Sequence, residues 1–385
     1  MRGDERGPLL IILGLVAIWL VFQGLDDNFL SPRNLSNLSV DIVGTGLVAV
    51  GVVFVLLIGE IDLSVGSVSG LGGAVFAVLN VNLGVPEWLA VVVAVASGTA
   101  VGAVHGFFYA RVGVPAFIVT LAGLLAWNGL TLLLLGSSGT VSIDEGGLVA
   151  SLTSTYFGAA GAAYGLAGLG TTGYLLVSHR NRRRRRDAGT PYRSLSEIWV
   201  RTALLAVISF AAAHMLDQFQ GLPFALLIFL TVVVASDCFL RRTRYGRRVY
   251  ALGGGIEAAR RAGVGVAGVQ IMVFMVSGTL AATGGLIVAS ELTSASPTTA
   301  RVAGSGMLLI NAIAAVVIGG TSLFGGRGTT WSALLGVLVI ESIASGMALL
   351  GVQDSVQFMI TGAVLLAAVT TDTLSRRAAR SYPRR

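Results

Sequence analysis

Long apolar stretches, separated by short polar connections, run through the whole chain. Most of them reach the ~20 residues needed to cross a lipid bilayer. The predicted spans are residues 8–23, 40–58, 62–80, 88–110, 114–136, 155–178, 197–214, 222–240, 268–290, 305–320, 331–350 and 354–372. The count is about twelve, or 10–12 if one weak pair is re-entrant. No sustained alternation of the kind that transmembrane strands require is present. The pattern therefore predicts an all-α, polytopic membrane protein with a single transmembrane domain, 1–385.

The arginines fall on one side of these predicted spans when both termini are placed in the cytoplasm. Only Arg33 and Arg301 then lie outside, whereas the clusters at 180–193, 241–261 and 376–385 lie inside. Arg-rich loops are typical of the cytoplasmic face of a membrane protein. We therefore expect both termini of this multi-pass protein to lie in the cytoplasm.

The segment 179–196 is predicted to be a polar cytoplasmic loop that separates two halves of the chain. We interpret its arginine run, Arg182–Arg186, as an anchor beside anionic lipid headgroups and not as a nucleic-acid site. The halves share a short repeat, since Ile58–Gly66 resembles Ile318–Gly326 with isoleucine, leucine and two glycines in register. Glycine-interrupted segments at corresponding positions of two halves are typical of transporters.

Composition excludes several kinds of chemistry. The chain is 54% hydrophobic and 12% charged, which excludes an ordinary soluble domain. It contains no lysine, so it has neither a Walker A phosphate loop nor a Schiff-base lysine. His179 and His214 have no other metal-ligating residues at ligand spacing. We therefore predict no metal and no bound cofactor on this chain, and if ATP drives the protein, another chain hydrolyses it.

Four polar residues are candidates for a translocation path. Glu60, Asp62 and Ser64 lie between two apolar runs, near the predicted cytoplasmic face, and Asn128 lies in mid-span. A carboxylate in a membrane is costly unless it faces water, a partner or a backbone donor. One interpretation is that these residues line a polar path. The other is that Asp62 or Ser64 caps the next helix, and that Asn128 only links helices. The two interpretations are compatible.

The segment Gly253–Val266 reads GGGIEAARRAGVGV and combines a helix-favouring centre with flanking glycines. A short charged helix between apolar spans must lie outside the hydrocarbon. It therefore offers a surface that a soluble partner can contact. The alternative interpretation is an ordinary polar connector.

Four motifs, in order along roughly 40–370, make the chain resemble the membrane permease subunits of bacterial ABC sugar importers of the ribose/xylose branch. That branch shares a superfamily with branched-chain amino-acid permeases. The motifs are GEIDLSVGS at 59–67, VPAFIVTL at 114–121, LGGGIEAARRAGVGV at 252–266 and VIGGTSLFGGR at 317–327.

Three positions depart from this resemblance. Glu60 stands where the family has glycine, Gly255 where asparagine is common and Ala262 where serine is common. The region around 150–220 is longer than ribose-type permeases need, which makes the chain most similar to the xylose-type subgroup.

The resemblance implies a passive pathway that other proteins drive. It implies that a cytoplasmic ATPase, carrying ATP and Mg, grips the coupling loop 241–267, with Glu257, Ala258, Arg260 and Gly263 docking in the ATPase groove. It also implies an extracytoplasmic sugar-binding protein and a second permease copy, forming a homodimer within the lipid bilayer. The substrate would be a monosaccharide, xylose or a related pentose or hexose.

Two other function classes remain as alternatives. A self-contained, ion-coupled secondary transporter would use Glu60, Asp62, Glu291 or Asp372 as a proton relay. A membrane enzyme acting on lipid-linked sugars would need acidic or metal-binding external loops, whereas 137–154 is mostly Gly, Ser and apolar.

Overall fold

The computed structural model describes residues 6–136, 139–158, 161–295 and 307–381. These residues are mostly helical. The helices are α1 (Arg6–Leu25), α2 (Pro32–Leu57), α3 (Val65–Ala77), α4 (Glu87–Phe107), α5 (Ala116–Leu135), α6 (Ser151–Ser154), α7 (Ala162–Asp187), α8 (Leu195–Asp217), α9 (Phe224–Arg242), α10 (Arg244–Gly254), α11 (Ile256–Arg261), α12 (Val266–Glu291), α13 (Met307–Ile318), α14 (Thr330–Leu349) and α15 (Asp354–Ser381). One turn of π-helix extends α3 over Val78–Asn82, and another extends α4 over Phe108–Val112.

Two very short antiparallel ladders hold the connection between α5 and α7. Strand β1 (Val141–Ser142) pairs with β4 (Ser294–Ala295), which follows α12. Strand β2 (Tyr156–Phe157) pairs with β3 (Leu222–Pro223), which precedes α9. The connection is therefore fixed to the end of α12 and to the start of α9.

The helices confirm the predicted all-α membrane fold. Within the described residues, eight helices are long and apolar enough to cross a membrane, and three shorter apolar helices accompany them. These eleven helices overlap all but one of the predicted spans. The remaining predicted span, 155–178, overlaps α7. That helix continues through the arginine run to Asp187, so the predicted loop 179–196 is wrong in extent and the connection is only 188–194.

The core lies around α12, which packs against α2, α3 and α4. Helix α2 is the most enclosed span, with 94% of its apolar window buried. Helices α5 and α8 instead expose large apolar side chains, including Leu125 and Leu133 on the former and Val200 and Val207 on the latter. Because apolar faces of this size are costly in water, we assign them to the lipid-facing surface.

Small residues let α4 and α12 approach at backbone distance. Gly98, Gly102 and Gly106 recur every four residues along one face of α4. A Cβ on Gly102 would overlap the carbonyl oxygen of Phe274, and a Cβ on Gly278 would overlap that of Gly98. This is the small-residue spacing by which membrane helices pack closely.

Replacing Gly102 with valine is expected to lower the stability of the detergent-solubilised protein. The added side chain has no space against Phe274, and overpacking of this kind costs on the order of 3 kcal/mol. The apparent melting temperature, followed by size-exclusion fluorescence, measures the loss. Gly129→Val on α5 is the matched control, because nothing lies within 4 Å of a Cβ there. Equal melting temperatures for the two variants would contradict this packing.

The two repeat segments end their helices in the same way. In α2 the terminating residue is Gly59, with a φ of 83°, and in α13 it is Gly320, with a φ of 92°. After each glycine, the next amide donates to the carbonyl five residues earlier, at 3.2 and 3.0 Å. This is the Schellman helix end, which favours glycine. The sequence repeat aligned Gly59 with Gly319, whereas the structure makes Gly320 the equivalent of Gly59. The predicted alignment of the two repeats is therefore wrong by one residue.

Candidate functional site

The two repeat segments meet the predicted coupling segment at a contact that we call the glycine junction. It is formed by Leu57, Gly59, Gly253, Gly325 and Gly326. The amide of Gly326 donates to the carbonyl oxygen of Leu57 at 2.9 Å. A Cβ on Gly253 would overlap both that oxygen and the amide nitrogen of Gly326. The end of α10 therefore lies against the ends of both repeats with no side chain between the backbones.

Two tyrosines on α10 fix this segment to the transmembrane helices. The hydroxyl of Tyr245 donates to the carbonyl of Val269 at 2.9 Å. That of Tyr250 donates to the carbonyl of Gly328 at 2.9 Å. Burial raises the pKa of both phenols, so both remain protonated donors at neutral pH. Movement of α10 is thus linked directly to α12 and to the segment that follows the second repeat.

The predicted helix at the centre of the coupling segment is present as α11. The four residues predicted to dock, Glu257, Ala258, Arg260 and Gly263, are all exposed. Arg260 and Glu257 form an ion pair at 2.9 Å on this exposed surface. Ala259 is buried and holds the helix to the body of the protein. The arrangement presents the four predicted residues to solvent, and their contact with an ATPase stays a prediction.

Glycines define the two ends of α11. Gly255 precedes the helix with a φ of 154° and Gly263 follows it with a φ of 78°. Both values are unfavourable for residues with a Cβ. Gly263 therefore has a conformational role, whether or not it also contacts a partner.

Two of the path candidates belong to a buried polar cluster. The Oδ1 atom of Asp62 accepts from the amide of Ser64 at 2.9 Å and from its hydroxyl at 2.6 Å. The hydroxyl of Ser277 donates to Oδ2 at 3.2 Å. All three residues are buried. Asp62 thereby connects the start of α3 to α12.

His105 extends this cluster to α4 and α5. The indole nitrogen of Trp127 donates to Nε2 of His105 at 2.9 Å. Because an indole only donates, Nε2 accepts, and the hydrogen of the neutral ring lies on Nδ1. Nδ1 faces the hydroxyl of Ser64 at 3.3 Å. No group of potential metal ligands occurs among the described residues.

The helix-cap interpretation of this segment needs correction. Ser64 is the residue before α3, but its side chain does not bond to the first amides of the helix. Asp62 bonds to Ser64 instead of to the helix.

Glu60 lies outside the cluster and accepts a hydrogen bond of 2.6 Å from the hydroxyl of Tyr109, which gives this unusual residue a partner. Asn128 lies half-buried on α5. The path role of all four residues stays a prediction.

Replacing Asp62 with alanine is expected to lower the apparent melting temperature substantially. The change removes three hydrogen bonds and leaves the buried Ser64 amide unpaired, which costs about 2 kcal/mol or more. Asp144→Ala is the control, because Asp144 accepts a comparable local bond from Gly146 in an exposed turn. A normal melting temperature for Asp62→Ala would mean that this cluster contributes little to the fold.

A polar cavity of about 430 Å³ lies at the other end of the molecule. It is lined by Asn37, Val40, Asp41, Glu145, Ala150, Thr153, Ser154, Tyr156, Ser290, Glu291 and Thr293. Asp41 is sixteen residues from the junction end of α2, which is about 24 Å along the helix. The sequence reasoning missed Asp41, although a lone charge inside an apolar span is the signal that identifies such a site.

Comparison with known proteins gives a consistent result. Residues 34–369 match the family model described as branched-chain amino acid transport system / permease component. The chain is 37% identical to the xylose transport system permease protein XylH of Escherichia coli (strain K12), over 95% of this chain and 92% of the relative. The Haemophilus influenzae protein of the same description is 36% identical, over 95% of this chain and 96% of the relative.

A second group of relatives is slightly more distant. The ribose import permease protein RbsC of Escherichia coli (strain K12) is 33% identical, over 96% of this chain and 93% of the relative. No solved structure matches the chain at a significant level.

Proposed function

Because the chain belongs to the branched-chain amino acid transport system / permease component family, we propose that it is the transmembrane permease subunit of an ATP-driven sugar importer. It carries a monosaccharide into the cytoplasm, and the named relatives support xylose or a related pentose or hexose. The chain is a multi-pass membrane protein of the bacterial cell membrane. It is a pathway subunit and not an enzyme, since the ATPase of such a system is a separate subunit.

The observation that carries the proposal is the glycine junction beneath an exposed charged helix. A pathway subunit that is driven by another chain needs a surface to receive force and a rigid connection from that surface to the spans. The exposed α11 supplies the surface. The backbone contact of Gly253 with Leu57 and Gly326 supplies the connection.

Two helices lead from this connection to the polar cavity. Helix α2 ends at Leu57 in the glycine junction, and its first half lines the cavity with Asp41. Helix α12 begins after α11 and ends at Glu291 in the cavity wall. The two helices pack against each other. A shift imposed at the junction therefore reaches the cavity through packed, rigid elements.

The remaining partners follow from this role. A cytoplasmic ABC ATPase binds ATP and Mg and docks on the coupling segment 241–267 through Glu257, Ala258, Arg260 and Gly263. An extracytoplasmic sugar-binding protein delivers the substrate. A second copy of this chain completes the pathway as a homodimer. The Arg-rich end of α7 lies beside anionic lipid headgroups.

The proposal is tested by purifying the tagged chain from its own membranes in mild detergent. We expect an ATPase chain to co-purify and to hydrolyse ATP, because α11 has an exposed surface built for such a partner. Stoichiometric recovery of the chain without any ATPase, from membranes that transport the sugar, would refute the proposal.

A further inference from the structure

The polar cavity has a shape and a lining that the family comparison does not explain. Its volume of about 430 Å³ lies within the range of small-molecule sites and exceeds what a single monosaccharide needs. Its walls come from α2, the end of α12, and the connection that carries α6 and β2. It is open to solvent on one side, and Glu291 is exposed within it.

The lining is suited to an uncharged, hydroxyl-rich solute. Asp41, Glu145 and Glu291 contribute carboxylates that only accept hydrogen bonds when ionised. Hydroxyls on Tyr156 and Thr293 can both donate and accept, whereas those on Thr153, Ser154 and Ser290 already donate within the protein and offer acceptor capacity. Among the described residues that line the cavity, none carries a positive charge. Such a lining complements sugar hydroxyls, and it repels sugar acids and sugar phosphates.

Two of the three lining carboxylates, those of Asp41 and Glu291, come from neighbouring helices. Asp41 lies on α2 and Glu291 is the last residue of α12, and both line the cavity. One helical turn further along α2, the hydroxyl of Thr45 donates to Glu341 at 3.0 Å. Carboxylates that accept hydrogen bonds are therefore present both in the cavity wall and deeper in the helix bundle.

The backbone around the cavity is held in a costly conformation. Thr293 has a φ of 45°, which is unfavourable for a β-branched residue. Its carbonyl accepts from the amide of Ile143 at 2.9 Å, beside the ladder of β1 and β4. The hydroxyls of Thr153 and Ser290 bond to each other at 2.8 Å beneath it. Strain that the surrounding structure maintains in this way is typical of functional sites.

We propose that this cavity is the binding site through which the transported sugar enters the permease, with Asp41 and Glu291 accepting hydrogen bonds from its hydroxyls. The inference rests on the proposed function for the identity of the solute as a sugar. Asp41 and Glu291 are thus the residues that determine specificity for uncharged sugars.

The test uses a cysteine at Ser154 in the cavity, on a Cys238→Ser background, in the full-length protein in lipid nanodiscs. Cys238 is the chain's only cysteine and lies on α9, away from the cavity. We expect D-xylose to slow labelling of Ser154→Cys by a thiol reagent, and D-xylonate to have no effect. Leu148→Cys is the control, because Leu148 is exposed on the same connection but does not line the cavity.

Asp41→Asn and Glu291→Gln are then introduced separately. Each is expected to raise the xylose concentration that gives half-protection by about tenfold, the effect of losing one hydrogen bond to a charged acceptor. Two independent variants guard against misfolding of either one. Protection by D-xylonate equal to that by D-xylose would overturn the inference. Protection by calcium chloride but not by sugar would also overturn it, because the carboxylates would then bind a cation and not a sugar.

Failure of the labelling test can be distinguished from failure of the ATPase co-purification test. Xylose protection that depends on Asp41 supports this site even when no ATPase co-purifies. A co-purifying ATPase together with sugar-independent labelling of Ser154→Cys would refute this site and leave the proposed function standing.

Discussion

Replacing Gly253 with alanine is expected to abolish ATP-driven uptake while the protein still inserts in the membrane. The new methyl group would overlap the carbonyl of Leu57 and the amide of Gly326. Because both obstacles are backbone atoms, no side-chain rotation relieves the overlap, and the cost is on the order of 3 kcal/mol at the glycine junction. Uptake of labelled sugar, normalised to the amount of protein in the membrane, measures the effect.

The neighbouring glycine gives a matched control for this prediction. Nothing lies within 4 Å of a Cβ at Gly254, which occupies the last position of α10. Gly254→Ala is therefore expected to transport normally. Equal uptake by the Gly253 and Gly254 variants would show that close contact at the junction is unimportant for transport.

Reversing the charge of Glu257 is expected to release the ATPase without unfolding the permease. The side chain is 70% exposed, and its ion pair with Arg260 joins two exposed groups on one helical turn. Surface pairs of this kind contribute little to stability. At an interface, by contrast, juxtaposed like charges cost several kcal/mol, so Glu257→Arg should weaken ATPase binding about a hundredfold or more. The amount of ATPase retained on the purified permease measures this loss.

Glu197→Arg provides the comparison for this variant. Glu197 is a half-exposed residue in the first turn of α8, paired with Arg201 on the same helix and with Arg193 just before it, and lies outside the coupling segment. It should retain the ATPase. Normal ATPase retention by Glu257→Arg would remove this residue from the docking surface and leave the rest of α11 to be tested.

Apolar run length predicted the fold well, because a membrane span is a local property of about 20 residues. The same reliance on apolar residues placed the end of α7 too early in the sequence. Arginines favour helix, and nothing in 179–187 stops the helix where its apolar part ends. The loop inferred from polarity alone was therefore too long.

Local sequence also predicted α11, because a helix-favouring pentapeptide between glycines specifies its own structure. The glycine junction was not predictable in this way. It joins Leu57, Gly253 and Gly326, which are far apart in sequence, and glycine at a close contact looks the same in sequence as glycine in a turn. The same limit applies to His105, whose contacts with Ser64 and Trp127 depend on tertiary packing.

The path candidates show where a chemical rule gave an incomplete answer. A carboxylate in a span signals function, and the sequence reasoning applied this rule to Glu60 and Asp62. In the structure Asp62 is enclosed by hydrogen-bond partners, whereas Asp41 lines an open cavity. The rule identifies residues that need a partner. Only the fold distinguishes a protein partner from a solute.

The most direct measurement of the central claim is sugar uptake by proteoliposomes that contain the permease with or without its co-purified ATPase. The binding protein and sugar are supplied outside the vesicle, and ATP is enclosed within it. We predict uptake only when both the ATPase and ATP are present, with no response to a proton or sodium gradient. Gradient-driven uptake by the permease alone would contradict the account and identify the chain as a self-contained secondary transporter.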